Sequence, residues 1–340
     1  MVHHALRTLD GHSLAWNISE NVLNAHGAVV VFFVLSGYVL AKSIVGRGFD
    51  SNSLSKFYVR RGFRIYPALW AAIAVGVFYM LVVKLLSAPH MSPWMAKYYD
   101  GGGLNLTIIA ASIAGLDAHL LPTAWTITIE IVASVVLPLF VWVLCSGRIA
   151  AIALLAVMTV VSFSFGVNAR QVPLYMVEFV LGAMLATSPW LQGIRIGTMG
   201  AAISAIVLLF FRRLWNWDYH DPLPSLVEAL ASVVLISAIT QHRVQWLKNQ
   251  ALVHIGDWSY SIYLLHLPIA LITTRIMCHL AGDANSDLLA FGIMVLTVGV
   301  TMPLSVLAYT YIEAPGIALG VRVFQALEGR IFPRMQKAGG

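Results

Sequence analysis

The chain has 340 residues, of which 59% are hydrophobic and only 11% are charged, and its net charge is +6. Its mean hydropathy of +0.81 lies far above that of a soluble globular protein. The lysines and arginines fall mainly in short stretches between apolar runs, so the positive charge indicates membrane topology and excludes nucleic acid as a partner. Two isolated cysteines support neither a disulfide framework nor a zinc site, and we expect no metal.

The first 27 residues contain four histidines and no apolar run that could cross a bilayer, so we expect residues 1–27 to form an outer N-terminal segment. Ten apolar segments follow. They cover residues 28–45, 66–86, 104–116, 123–145, 149–165, 172–188, 196–211, 223–240, 258–278 and 288–311. This pattern predicts an all-α, polytopic transmembrane bundle of nine to ten segments and a single integral membrane domain over residues 1–340.

The segment at residues 104–116 is shorter than the roughly 17 to 25 residues that a crossing needs, so we predict that it is re-entrant or interfacial. Nine crossings then place the N-terminus outside. They leave the basic loop at 46–64 and the basic tail at 320–340 in the cytoplasm. Arg212 and Arg213 are the main exceptions, because they fall on the outer side.

Three arginines lie just before the apolar run that contains Pro67. If this approach is helical, Arg61 and Arg64 share one face. Two guanidinium groups at a membrane boundary can bind phosphate bidentately. The alternative is that these residues are positive-inside anchors.

Three ionisable residues, Glu130, Glu178 and His266, interrupt the apolar segments, where a charge is costly and by default marks function. For each alone, a hydrogen bond to a neighbouring helix is an equally good explanation. Together they would form the proton relay of a transporter or flippase, which is the rival function. A membrane haem protein is excluded because His266 has no obvious partner at its depth.

Five motifs occur in one order along the chain, namely FFVLSGYVL, RRGFRIYP, WTITIE, GDWSYSIYLLHLPI and YIEAPG. In this order they resemble the acyltransferase 3 family, whose integral membrane enzymes O-acylate lipopolysaccharide O-antigen, peptidoglycan, exopolysaccharide, Nod-factor-like oligosaccharides and some macrolides. The resemblance covers roughly residues 1 to 320. It implies an O-acyltransferase of the inner (plasma) membrane, with acetyl-CoA or another acyl-CoA as donor and a saccharide or glycolipid as acceptor.

The resemblance also implies roles for individual residues. Arg61 and Arg64 match the family's R-x-x-R pair, which is thought to bind the donor, and Ser36 lies in the F-F-x-x-S-G motif. Glu130 follows Trp125 by five residues, as in the family. The family's essential histidine corresponds to His3 or His4, and His4 is the better match. The expected catalytic residues are therefore His4, His3 and Glu130, and the expected donor-binding residues are Arg61, Arg64 and Ser36.

The sequence departs from the family pattern at its start. Only Met1 and Val2 precede the histidines, so most of the family's first helix and its arginine are missing. We expect either a translation start upstream of Met1 or a truncated copy in which His4 lies on a frayed terminus. An imidazole suits the chemistry, because acyl transfer to a hydroxyl needs a base near neutral pH. Direct transfer and transfer through an acyl-histidine both stay open.

Overall fold

A computed structural model describes residues 1–9, 14, 16–17, 24–88, 90–97, 105–165, 171–214, 218, 220–242, 245–282 and 287–331, without the side chains of 242, 245–246 and 327–331. The end of the predicted basic tail, residues 332–340, lies outside the described residues. The α-helices described are α1 Val2–Leu6, α2 Ala25–Val45, α3 Ser51–Leu81, α4 Pro93–Ala96, α5 Leu106–Ile113, α6 Trp125–Cys145, α7 Arg148–Phe165, α8 Val172–Thr187, α9 Pro189–Gln192, α10 Thr198–Leu214, α11 Pro222–His242, α12 Gln250–Ala281, α13 Asp287–Ala308 and α14 Ala314–Ile331.

The helical bundle predicted from the sequence is confirmed. Within the part of the chain that the structure describes, seven helical stretches are long and apolar enough to cross a membrane. They are Ala25–Val45, Ser51–Leu85, Pro122–Cys145, Arg148–Phe165, Pro222–Gln241, Gln250–Ala281 and Asp287–Ala326. Helices α8 and α10 have 16 and 17 residues, so the count of nine crossings stays a prediction. Helix α5 has only eight residues, which agrees with its exclusion as a crossing.

The basic stretch before Pro67 is largely helix, whereas a loop was expected over residues 46–64. Helix α3 begins at Ser51, and the Asp50 carboxylate accepts a hydrogen bond from the backbone N–H of Ser53 at 3.0 Å. A side-chain cap of this kind stabilises a helix start by about 1 kcal/mol. The helix continues through Pro67 to Leu81, so the arginines lie on the same helix as the apolar span that follows them.

The chain divides into two compact units, each built from separate stretches of sequence. Unit 1 comprises Met1–Trp16, Asp50–Trp125 and His254–Gly340, and unit 2 comprises Asn17–Phe49 and Thr126–Val253. The expectation of one integral domain over residues 1–340 stays a prediction.

In unit 1, helices α3 and α12 run in the same direction. Near the middle of α3, the Tyr260 hydroxyl donates to the Ile65 carbonyl at 2.9 Å. Beyond the end of α3, the Arg275 guanidinium donates to the Leu86 carbonyl at 2.7 Å. The two helices are therefore parallel, as the predicted crossings require.

Helix α14 packs along α3 in the opposite direction, and glycine makes this approach close. A Cβ atom at Gly316 would lie 2.8 Å from Cγ of Pro67, and one at Gly320 would lie 2.6 Å from Cβ of Phe63. Any larger residue at these positions would push α14 away from the turn of α3 that carries Arg64.

In unit 2, helices α2 and α8 also meet through glycines. A Cβ atom at Gly37 would overlap the backbone of Phe179, and one at Gly182 would overlap the carbonyl of Val34. These two glycines are therefore points of contact between the helices. The Phe33 ring packs on the ring of Phe179 with centroids 5.2 Å apart, which fills the same interface.

A buried ion-pair network joins four helices of unit 2. His26 Nδ1 donates to the Glu228 carboxylate at 2.6 Å, and Arg212 donates to the same carboxylate at 3.1 Å. The Tyr175 hydroxyl bonds His26 Nε2 at 3.0 Å. His26 lies in the first turn of α2 and is buried, although it belongs to the N-terminal segment that was expected to lie outside the membrane.

This network explains why Arg212 departs from the positive-inside pattern. Its guanidinium is buried and paired with Glu228 and therefore does not act as a free charge at the membrane surface. The starts of α2, α8 and α11 and the end of α10 all contribute to the network. They therefore lie at one end of unit 2, as alternating crossings predict.

Candidate active site

Two histidines that are 262 residues apart in sequence meet in unit 1. Nδ1 of His4 lies 2.9 Å from Nε2 of His266, and the two rings stack with centroids 5.1 Å apart. His4 belongs to α1 and keeps part of its surface accessible, whereas only 4% of His266, on α12, is exposed. The statement that His266 has no partner is therefore wrong, and its partner is the preferred catalytic histidine.

Backbone carbonyls fix the tautomers of this pair. Nδ1 of His266 lies 2.6 Å from the carbonyl oxygen of Tyr263 and 3.3 Å from that of Ile262. Because a carbonyl can only accept, we assign the hydrogen of neutral His266 to Nδ1, which leaves Nε2 as an acceptor. His4 then donates from Nδ1 to His266. Its own Nε2 keeps a lone pair and can act as a base or a nucleophile.

Contacts with the segment around Ser92 hold helix α1 in place. The Ser92 hydroxyl donates to the Arg7 carbonyl at 2.7 Å, and its backbone N–H donates to the Thr8 carbonyl at 2.8 Å. Trp94 follows at once, and its ring lies 5.4 Å from that of His4. The frayed terminus considered for His4 is therefore not what the structure shows, since α1 is docked.

The same surroundings set the protonation of His4. Burial lowers the pKa of the His4 imidazole well below its ordinary value, and the neighbouring His266 adds to this effect. The Arg7 guanidinium lies 4.8 Å from the centre of the Trp94 ring and 4.7 Å from that of Trp16. At neutral pH the His4 imidazole is therefore uncharged and has its Nε2 lone pair available.

His3 lies next to His4, at the edge of the histidine pair. Its ring meets the ring of His4 edge-on, with centroids 5.6 Å apart, and it is partly exposed. No hydrogen bond between His3 and His266 is found among the described residues. His4 rather than His3 therefore contacts His266, and the choice of His4 as the catalytic histidine stays a prediction from the resemblance.

The arginine pair is also in unit 1. Arg61 and Arg64 are three residues apart on continuous helix, so they share one side of α3 as predicted. Arg64 is exposed and Arg61 is partly buried. An exposed guanidinium group such as that of Arg64 can bind a phosphate bidentately.

Helix α12 connects the arginine region with the histidine pair. Its Tyr260 bonds the carbonyl of Ile65, the residue after Arg64, and His266 follows Tyr260 by six residues. At 1.5 Å of rise per residue, His266 lies about 9 Å further along the helix axis. The two predicted parts of the site are thus tied to one helix.

Two of the predicted site residues, Glu130 and Ser36, lie in unit 2. Glu130 is 5% exposed, and its carbonyl accepts a hydrogen bond from the Ser134 hydroxyl at 2.7 Å. Ser36 is partly buried on α2. Their participation with His4 stays a prediction from the resemblance. Among the described residues, no group of three or more histidines, cysteines or acidic residues is arranged to hold a metal ion.

Sequence reasoning missed the pairing of His266 and the place of Trp94. His266 carried a signal, because it interrupts an apolar helix within one of the five motifs. Trp94 carried none. An isolated antiparallel bridge between Leu9 and Met91, two residues in irregular segments, brings the segment of Trp94 next to His4.

Comparison with known proteins identifies the family. The model of the acyltransferase 3 family, described as an acyltransferase domain, matches residues 1–310. The chain is 24% identical over 333 residues to the acyltransferase MdmB of Streptomyces mycarofaciens, covering 86% of this chain and 81% of that protein. No solved structure matches the chain significantly. With its seven apolar helices, this protein therefore belongs to the acyltransferase 3 family and is a multi-pass membrane acyltransferase.

Proposed function

We propose that the protein transfers an acyl group, by default acetyl, from acyl-CoA to a hydroxyl of a cell-surface saccharide or glycolipid. The acceptor class includes lipopolysaccharide and exopolysaccharide, and the site of action is the inner (plasma) membrane. The observation that carries the proposal is the His4–His266 hydrogen bond, which leaves Nε2 of the His4 imidazole unprotonated. A base held in one orientation by a second group is the arrangement that acyl transfer requires.

The proposed reaction begins with the donor phosphates on Arg61 and Arg64 and the thioester beside His4. Nε2 of His4 takes the proton of the acceptor hydroxyl while the hydroxyl oxygen attacks the thioester carbonyl. The tetrahedral intermediate then collapses, the carbon–sulfur bond breaks, and the CoA thiolate takes the proton back from the imidazolium. His266 accepts the Nδ1 hydrogen bond throughout and keeps the His4 ring oriented.

The same lone pair also permits a two-step route. Nε2 of His4 would attack the thioester itself, release CoA and hold the acyl group until the hydroxyl displaces it. Labelled donor added without acceptor distinguishes the routes, because only the two-step route releases a burst of CoA equal to the amount of protein and leaves the labelled acyl group on His4.

The deciding experiment is a labelled acetyl-CoA assay on the purified protein in detergent, with a lipid-linked saccharide as acceptor. We expect release of CoA that is lost in His4→Ala and strongly reduced in Arg64→Ala. Arg47→Ala is the matched control, because it removes an exposed arginine of the short connection after α2. Uptake of a solute into proteoliposomes without acyl turnover would instead support the transporter, and the enzyme proposal would be wrong.

A further inference from the structure

A wide helical turn separates α13 from α14. Residues Tyr309–Glu313 form a π-helix, in which the ladder gains one residue per turn. Pro315 follows closely and has no N–H to donate to the preceding turn, which favours such a distortion. The turn ends at Glu313, which is 0% exposed. Single π-turns are often found at functional sites.

The carboxylate of Glu313 is only half satisfied. The Ser261 hydroxyl donates to Oε2 at 2.8 Å, whereas Oε1 has no hydrogen-bond partner in the part of the chain that the structure describes. The positive charge of Arg64 acts on this carboxylate. A buried carboxylate oxygen without a donor is costly, so the structure holds an acceptor that no described protein group uses.

Along the axis of α12, Glu313 lies at a level between the two parts of the proposed site. Its partner Ser261 directly follows Tyr260, which bonds the carbonyl next to Arg64. His266 is five residues beyond Ser261, about 7.5 Å further along α12. A donor with its phosphates at Arg64 and its thioester at His4 would therefore have its middle segment at the level of Glu313.

The middle segment of any acyl-CoA is the pantetheine arm, which contains two secondary amides. Resting on the proposed function, we propose that Oε1 of Glu313 accepts a hydrogen bond from a pantetheine amide N–H of the donor. A charged acceptor forms a stronger bond with an N–H than a neutral one does. The bond would give Oε1 of Glu313 a donor. It would also determine how far the thioester of the bound donor extends toward His4.

The test compares three donors that differ only at the two pantetheine amides. One is acetyl-CoA, and the other two are analogues in which one or the other pantetheine amide is replaced by an ester. With the wild-type protein we expect kcat/KM to fall roughly 10- to 100-fold for one of the analogues, the range for loss of a hydrogen bond to a charged group. With Glu313→Met, which removes the acceptor at similar length, all donors should be used equally well.

Glu178→Gln is the matched control, because Glu178 is a second fully buried glutamate with unpartnered oxygens, in unit 2. This variant should keep the wild-type preference between donors. If Glu313→Met does not purify as a single species, Glu313→Gln is measured with the same donors, and its preference should fall below that of the wild type.

The outcomes separate this proposal from the one on which it rests. An unchanged preference in both Glu313 variants would overturn the amide contact, even if both variants were slow. That pattern would arise if Glu313 only positioned Arg64, since Arg64→Ala should weaken all donors by the same factor. No turnover of any donor by the wild-type protein would instead refute acyl-CoA as the donor.

Discussion

The substitution His266→Phe tests the proposed site most directly. Phenylalanine fills a similar volume but removes Nε2, which accepts the hydrogen bond from Nδ1 of His4 at 2.9 Å. The donor on His4 would then lie in a largely enclosed position without its acceptor, which costs about 1–3 kcal/mol. The ring would also be free to adopt the tautomer with hydrogen on Nε2, which has no lone pair for the reaction.

At 1.36 kcal/mol for each tenfold change in rate, we expect kcat/KM to fall roughly 5- to 150-fold. The loss should appear mainly in kcat, because the proposed phosphate contacts of the donor lie at Arg61 and Arg64. The assay is CoA release from acetyl-CoA in the presence of acceptor. His279→Phe is the matched control, since His279 lies on the same helix but is exposed and bonds only the Ser87 hydroxyl among the contacts described. Equal activity of the two variants would refute the orienting role of His266.

Three further predictions follow from other parts of the molecule. Burial lowers the pKa of His4, so its imidazole should remain a neutral base below pH 6.5. We therefore expect kcat/KM to stay level as the pH falls through 6.5 and to decline only at lower pH. A decline centred at pH 6.5 would contradict this. Gly182→Ala should lower the melting temperature in detergent, because overpacking costs about 1–3 kcal/mol. Gly292→Ala should be neutral or stabilising, because a Cβ atom at Gly292 would meet no atom within 4 Å. Arg212→Met should destabilise the protein by about 3–5 kcal/mol, because the buried charge of Glu228 loses the arginine that pairs with it. The double variant Arg212→Met, Glu228→Met should recover part of that loss in the same thermal assay.

The sequence was most informative where a local pattern decides the structure. Apolar runs predicted the helices, and the spacing of Arg61 and Arg64 predicted their shared side of α3, because both depend only on helical periodicity. The helix start at Ser51 was missed, since the polar residues that follow Asp50 were taken for a loop. The charge of Arg212 was misleading because its neutralising partner, Glu228, belongs to the next helix and topology rules count charges as if they were free.

The histidine pair was beyond the reach of such patterns. Nothing local in the sequence brings His4 to His266, because their contact depends on how α1 packs against the rest of unit 1. The segment that carries Trp94 reaches the site through one backbone bridge between irregular stretches. Long-range contacts of this kind are set by tertiary packing, and a single chain offers no period from which to derive them.

The hydrogen bonds of His266 also favour one of the two functions that its sequence position suggested. A proton relay for transport needs a ring that receives a proton at one nitrogen and passes it on from the other. Nε2 of His266 faces His4, but Nδ1 faces the carbonyl of Tyr263, which cannot take up a proton. The path through His266 therefore ends at the helix backbone. The same two bonds are what an orienting partner needs, because one fixes its tautomer and the other fixes the ring of His4.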